Sequence, residues 1–127
     1  MGDPARILIV DDHPLICSAV RALLESESGL EVCGSAEDVG EALELTLATA
    51  PDLVVVDISL KSGSGIELIK RLRGQCSQVK VLVLSMHDES LFAERALHAG
   101  ALGYVNKQQA GGEKAKEQVE RVNESDR

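Results

Sequence analysis

Aliphatic residues along the chain gather into five short runs, at 6–10 (RILIV), 30–33 (LEVC), 53–56 (LVVV), 79–84 (VKVLVL) and 102–105 (LGYV). Runs of this length predict strands, and most are too apolar for a sheet with one wet face. Between them the period changes. Ile16, Val20, Leu23 and Leu24 fall on one helical face. Ile66, Ile69 and Leu72 repeat at helical spacing, as do Phe92, Ala93, Ala96 and Leu97, whereas Ala42, Leu45 and Leu47 give a mixed pattern. The punctuation agrees: Pro14 suits a first helical turn, Pro51 precedes a strand, and Gly29, Gly74 and Gly100 follow helix ends.

Five β–α units of this kind predict a parallel sheet covered on both faces, a three-layer α/β/α domain of doubly wound type with right-handed crossovers. Strand order is not readable from periodicity; 2-1-3-4-5 is the common choice at five strands. The domain is expected over residues 1–122, with a polar tail at 123–127. Within the closing stretch QQAGGEKAKEQVERVNESDR only Ala110, Ala115, Val119 and Val122 offer a helical stripe, which predicts a weak fifth helix fraying into that tail.

Composition narrows the picture. At 127 residues one domain is expected, and the 2% aromatic content means an aliphatic core. A formal net charge of −8 argues against phosphate-backbone binding by this domain and favours cationic ligands, metal ions included. Cys17, Cys33 and Cys76 form no C-x-x-C, so reduced thiols are expected rather than a zinc site or a disulfide framework. The opening MGDPARILIV lacks the pattern of a signal peptide, and no apolar run approaches the ~18 residues of a membrane span. A cytoplasmic protein without membrane contact is expected.

Chemistry collects at the carboxyl ends of the strands, where open parallel sheets bind ligands. Asp11 and Asp12 follow the first run, Asp57 the third, Ser85 the fourth and Lys107 the fifth, while the second is followed by uncharged Gly34 and Ser35. Singly, each has an ordinary explanation: Asp12 or Ser85 could cap a helix, and Lys107 could be solvated surface. Their concurrence at four of five strands is far harder to dismiss. Three carboxylates within ~5 Å repel by roughly 3 kcal/mol per pair at an effective dielectric near 20, so the cluster calls for a cation. Oxygen-only ligands, with no His or Cys nearby, suit Mg²⁺, with Mn²⁺ as the alternative. A carboxylate nucleophile, a divalent cation and a lysine together are equipment for phosphoryl transfer to Asp.

The segments ILIVDDHPLI, LVVVDISL, VLVLSMHDE and GALGYVNK together resemble the receiver domain of two-component response regulators, and DDHP with LSMHDE is similar to the NarL/LuxR-type subgroup. The resemblance spans about residues 5–108 and implies a flavodoxin-like sheet. It implies that Asp57 is the phosphoacceptor, that Asp12 ligates Mg²⁺ directly, that Asp11 supports it through water, and that the Ser59 carbonyl is a further ligand. It also implies that Ser85 is the switch hydroxyl, Tyr104 the switch aromatic and Lys107 the phosphate-pairing lysine. Met86 and His87 become rate-tuning candidates. Lys61 and Gln108 stand where many receivers carry proline.

The function so implied is acceptance of a phosphoryl group from a sensor histidine kinase onto Asp57, switching the surface of helix 4, strand 5 and helix 5. Such a domain assists its own phosphorylation and dephosphorylation and has no separate substrate. Its expected partners are that kinase and a second copy on phosphorylation. DNA would be reached only through a helix-turn-helix domain that this chain does not contain. The alternative is a stand-alone receiver acting by docking. An Asp-nucleophile phosphatase would want a second acid where Ser59 stands, and a nucleotide or flavin site would want glycine-rich amides where Asp11 and Asp12 stand.

Overall fold

In the computed structural model, which describes residues 4–26, 29–57, 65–76, 78–85 and 90–106, the most apolar run becomes the centre of the sheet. Five strands, β1 (Ala5–Val10), β2 (Leu30–Ala36), β3 (Leu53–Asp57), β4 (Lys80–Ser85) and β5 (Gly103–Asn106), alternate with α1 (Pro14–Glu25), α2 (Val39–Thr49), α3 (Gly65–Gln75) and α4 (Ser90–Ala99). All pairings are parallel and the order is β2-β1-β3-β4-β5, as expected. Every residue of β3 is buried, because β1 and β4 flank its edges and helices cover its faces.

The pleat divides the core in two. Leu8, Val10, Val54, Val56, Val81 and Val83 point to the face covered by Ala42 of α2, Ile66, Leu68, Ile69 and Leu72 of α3, and Ala96 of α4. Ile7, Ile9, Leu53, Val55, Leu82 and Leu84 point to the other, where Leu24, Val20 and Leu23 of α1 pack. This alternation is the period-2 pattern of a strand buried on both sides.

Several elements depart from expectation. β2 continues through Gly34, Ser35 and Ala36, which pair with Leu8, Ile9 and Val10, so Gly34 and Ser35 lie inside the strand rather than after it. The register slips between Ile7 and Leu8, leaving Cys33 without an opposite residue in β1. Asp57 and Ser85 are the last residues of their strands rather than the first beyond them. Gly74 lies inside α3, whose last turn closes through the Cys76 N–H on the Leu72 carbonyl at 2.7 Å. In α4, Ala96 is fully buried but Leu97 is 49% exposed, so Leu97 does not share the buried face of Ala96. The mixed reading of α2 holds: Ala42 is buried, Leu45 is half-buried and Leu47 is exposed. The expected fifth helix and the tail at 123–127 lie outside the described residues. Among those described, no helix is long and apolar enough to cross a membrane.

Candidate metal and phosphoryl site

Strand pairing brings two acids together. Val10 pairs with Val56, and Asp11 and Asp57 each lie one residue further along. The Asp11 N–H donates to the Ala36 carbonyl at 2.9 Å and so extends the ladder to the sheet's rim. Asp57 pairs with Leu84 on its other side, and Ser85 follows as the end of β4, paired with Asn106 of β5. Along the backbone, Asp11, Asp57 and Ser85 thus converge at the rim of β1, β3 and β4.

Asp11 is 4% exposed and Asp57 2%. Asp12 is half-buried. One carboxylate oxygen from each of Asp11, Asp12 and Asp57 lies, together with a ring nitrogen of His13, in a group whose atoms are all within 4.8 Å of one another. At that spacing each carboxylate pair repels by about 3 kcal/mol at an effective dielectric near 20, so the cluster needs positive charge. The donor set fits a divalent cation.

The His13 ring lies among the acids, a placement that strand ends alone do not predict. Its Nδ1 lies 3.0 Å from Asp11 Oδ1, 3.1 Å from Asp12 Oδ1 and 3.4 Å from Asp57 Oδ2. The expectation of oxygen-only ligands with no histidine nearby is therefore corrected: an imidazole sits among the acids. The hydrogen bond to Asp11 raises the His13 pKa above 6.5; partial burial opposes this, and the charges of Asp11, Asp12 and Asp57 add to it. The available signal in the sequence was DDHP itself, with a histidine directly between the acids and a helix-starting proline.

The backbone explains the ring's position. Pro14 occupies the first turn of α1 and disfavours helical geometry in the residue before it, and His13 is extended at φ −109°, ψ 103°. The His13 N–H donates to Asp11 Oδ1 at 2.8 Å, an Asx turn that folds the chain back over the acids. His13 is the N-cap residue of α1. The capping explanation for Asp12 accordingly fails.

Tyr104 lies in β5 and Ser85 in β4, but their side chains, like Ser59, Met86, His87 and Lys107 altogether, lie outside the described residues.

Residues 7–119 match the response regulator receiver domain family. BvgA, a virulence-factor transcription regulator of Bordetella pertussis, is 42% identical over 102 residues, 80% of this chain and 48% of BvgA. The transcriptional regulatory protein MctR of Rhizobium johnstonii is 35% identical over 102 residues, 80% of this chain and 48% of MctR. A LuxR-family two-component response regulator from Aurantimonas superimposes with a TM-score of 0.90 at 37% identity, covering 95% of this chain and 86% of that one. The chain spans about half the length of the two transcription regulators.

Proposed function

This chain belongs to the response regulator receiver domain family, and from that premise we propose that Asp57 is its phosphoacceptor, taking a phosphoryl group from the phosphohistidine of a sensor kinase. The observation that carries the reading is a carboxylate 2% exposed at the tip of the central strand, one residue past the Val10–Val56 pair, within 4.8 Å of two further acids. Its burial beside like charges is costly without a cation.

Asp11, Asp12 and Asp57, with the Ser59 carbonyl, would hold a divalent cation, Mg²⁺ or Mn²⁺. When bound, it neutralises charge on the phosphoryl oxygens. One Asp57 oxygen attacks phosphorus in line, forming an acyl phosphate as the kinase's P–N bond breaks and its imidazole leaves. Lys107 pairs with a phosphoryl oxygen, Ser85 donates a hydrogen bond to another, and Tyr104 responds to the Ser85 movement. Met86 and His87 tune the lifetime of the acyl phosphate.

The output surface is that of α4 and β5 with the segment that follows. Leu97 and Leu102 support this reading, because they leave apolar surface there at 49% and 40% exposure. The relatives that are transcription regulators support a transcriptional output in the full-length protein, reached through phosphorylation-driven pairing of two copies and a DNA-binding domain outside this chain.

Acetyl phosphate with Mg²⁺ tests the assignment. Wild-type protein is expected to gain one hydroxylamine-labile phosphoryl group by intact mass, and Asp57→Asn none. Labelling of Asp57→Asn at the wild-type level sinks it.

A further inference from the structure

The position of the His13 ring carries a consequence for metal choice. Besides its 3.0 Å hydrogen bond to Asp11 Oδ1, its Nδ1 lies 3.1 Å from Asp12 Oδ1 and 3.4 Å from Asp57 Oδ2. An octahedral ion with ligands at about 2.1 Å separates neighbouring donors by about 3.0 Å. A tetrahedral ion at about 2.05 Å separates them by about 3.3 Å. The nitrogen therefore already stands at the spacing of a ligand adjacent to each carboxylate oxygen. Pro14 and the turn on Asp11 fix the His13 backbone, and the Nδ1 contact with Asp11 Oδ1 places the ring.

We propose that His13 Nδ1 is a ligand of this metal site, making it a mixed nitrogen–oxygen site that prefers a first-row transition divalent cation to Mg²⁺. The inference rests on reading Asp11, Asp12 and Asp57 as the metal site. Ligation would release the Nδ1 proton to solvent, and the neutral ring, keeping its proton on Nε2, would then present the Nδ1 lone pair to the ion. Imidazole adds little for Mg²⁺, which prefers oxygen and keeps its waters, but it strengthens binding along the series from Mn²⁺ to Cu²⁺. Half of the ring surface is open to solvent, at 44% side-chain exposure, so its removal leaves the core intact.

Calorimetric titration of the full chain with Mg²⁺ and with Co²⁺, together with pulsed EPR of the Mn²⁺-loaded protein, tests the proposal. Wild type is expected to bind Co²⁺ more tightly than Mg²⁺ and to show ¹⁴N modulation from a bound imidazole. His13→Ala should abolish that modulation and weaken Co²⁺ by at least about tenfold, because even residues that merely orient a ligand cost ~10- to 100-fold. It should leave Mg²⁺ affinity nearly unchanged. If His13→Ala tightens both ions alike, the ring merely plugs the site and the proposal is overturned; persistence of the ¹⁴N modulation overturns it too. Asp12→Asn and Asp57→Asn separate the two levels of the reading. If both leave Mg²⁺ and Co²⁺ bound as before, the metal-site assignment itself fails. If they weaken both ions while His13→Ala changes neither the affinity ratio nor the modulation, only the His13 assignment fails.

Discussion

His13 and Asp11 are joined twice: Asp11 Oδ1 accepts the His13 backbone N–H at 2.8 Å and lies 3.0 Å from the His13 Nδ1. One carboxylate oxygen therefore fixes both the chain direction into α1 and the ring that faces Asp12 and Asp57. The arrangement ties the start of a helix to the charge balance of the acidic cluster.

Stability of the metal-free protein should accordingly depend on pH through His13. Its folded pKa is raised above 6.5, chiefly by the hydrogen bond to Asp11. A raised pKa means that the stabilisation is fully present below pH 6.5 and is lost as pH rises through the folded value. In urea denaturation, the difference in stability between wild type and His13→Gln should shrink from pH 6 to pH 9. By NMR, the His13 ring should titrate above 6.5 in wild type and move back toward 6.5 in Asp11→Asn. A wild-type ring titrating at or below 6.5 contradicts the geometry.

Ala50, the C-cap residue of α2, has φ 49° and ψ 60° and is exposed. The left-handed region costs an L-residue roughly 1–2 kcal/mol, and glycine enters it freely. Ala50→Gly should raise stability by about 0.5–1 kcal/mol, less than the full strain because glycine also gains freedom in the unfolded chain. A loss of stability in urea denaturation would show that the strain is not relieved.

Gly100 presents the opposite case, at φ 124°, where a Cβ would lie 2.5 Å from Arg73 Cγ and 2.6 Å from Cδ. Two costs compete in Gly100→Ala: backbone strain of about 1–3 kcal/mol, and a clash that the arginine stem can relieve by moving. Strain should dominate. The Gly100→Ala penalty measured in an Arg73→Ala background should then remain most of its original size. If it vanishes there, side-chain contact was the cause.

Much of this fold was legible because strands buried on both faces write themselves as apolar runs, and 53–56 became the fully buried β3. What stayed hidden depends on backbone pairing. Gly34 and Ser35 have no apolar side chains to mark them, yet their amide and carbonyl groups pair with β1, so β2 runs three residues past its apolar stretch. At the site, the carboxylates followed from strand ends, because parallel pairing aligns what lies one step beyond. His13 did not, because its place is set by a turn and by Pro14, neither of which has a period. Ala50 in the left-handed region is likewise unreadable, since nothing about an alanine announces it.

Removing the Asp57 charge should have opposite effects with and without metal. In the metal-free protein, Asp57→Asn deletes repulsions of about 3 kcal/mol with each of two neighbours at an effective dielectric near 20. It also forfeits the attraction of the His13 ring 3.4 Å away. Two repulsions set against one partly exposed attraction leave a net gain, so the metal-free variant should melt higher than wild type. Added Mg²⁺ should then raise the wild-type midpoint by mass action and raise the variant's much less, because one ligand is lost. Differential scanning calorimetry in chelator and in saturating Mg²⁺ reads both. A variant that melts lower in chelator, yet gains as much from Mg²⁺ as wild type, would place Asp57 outside the charge cluster.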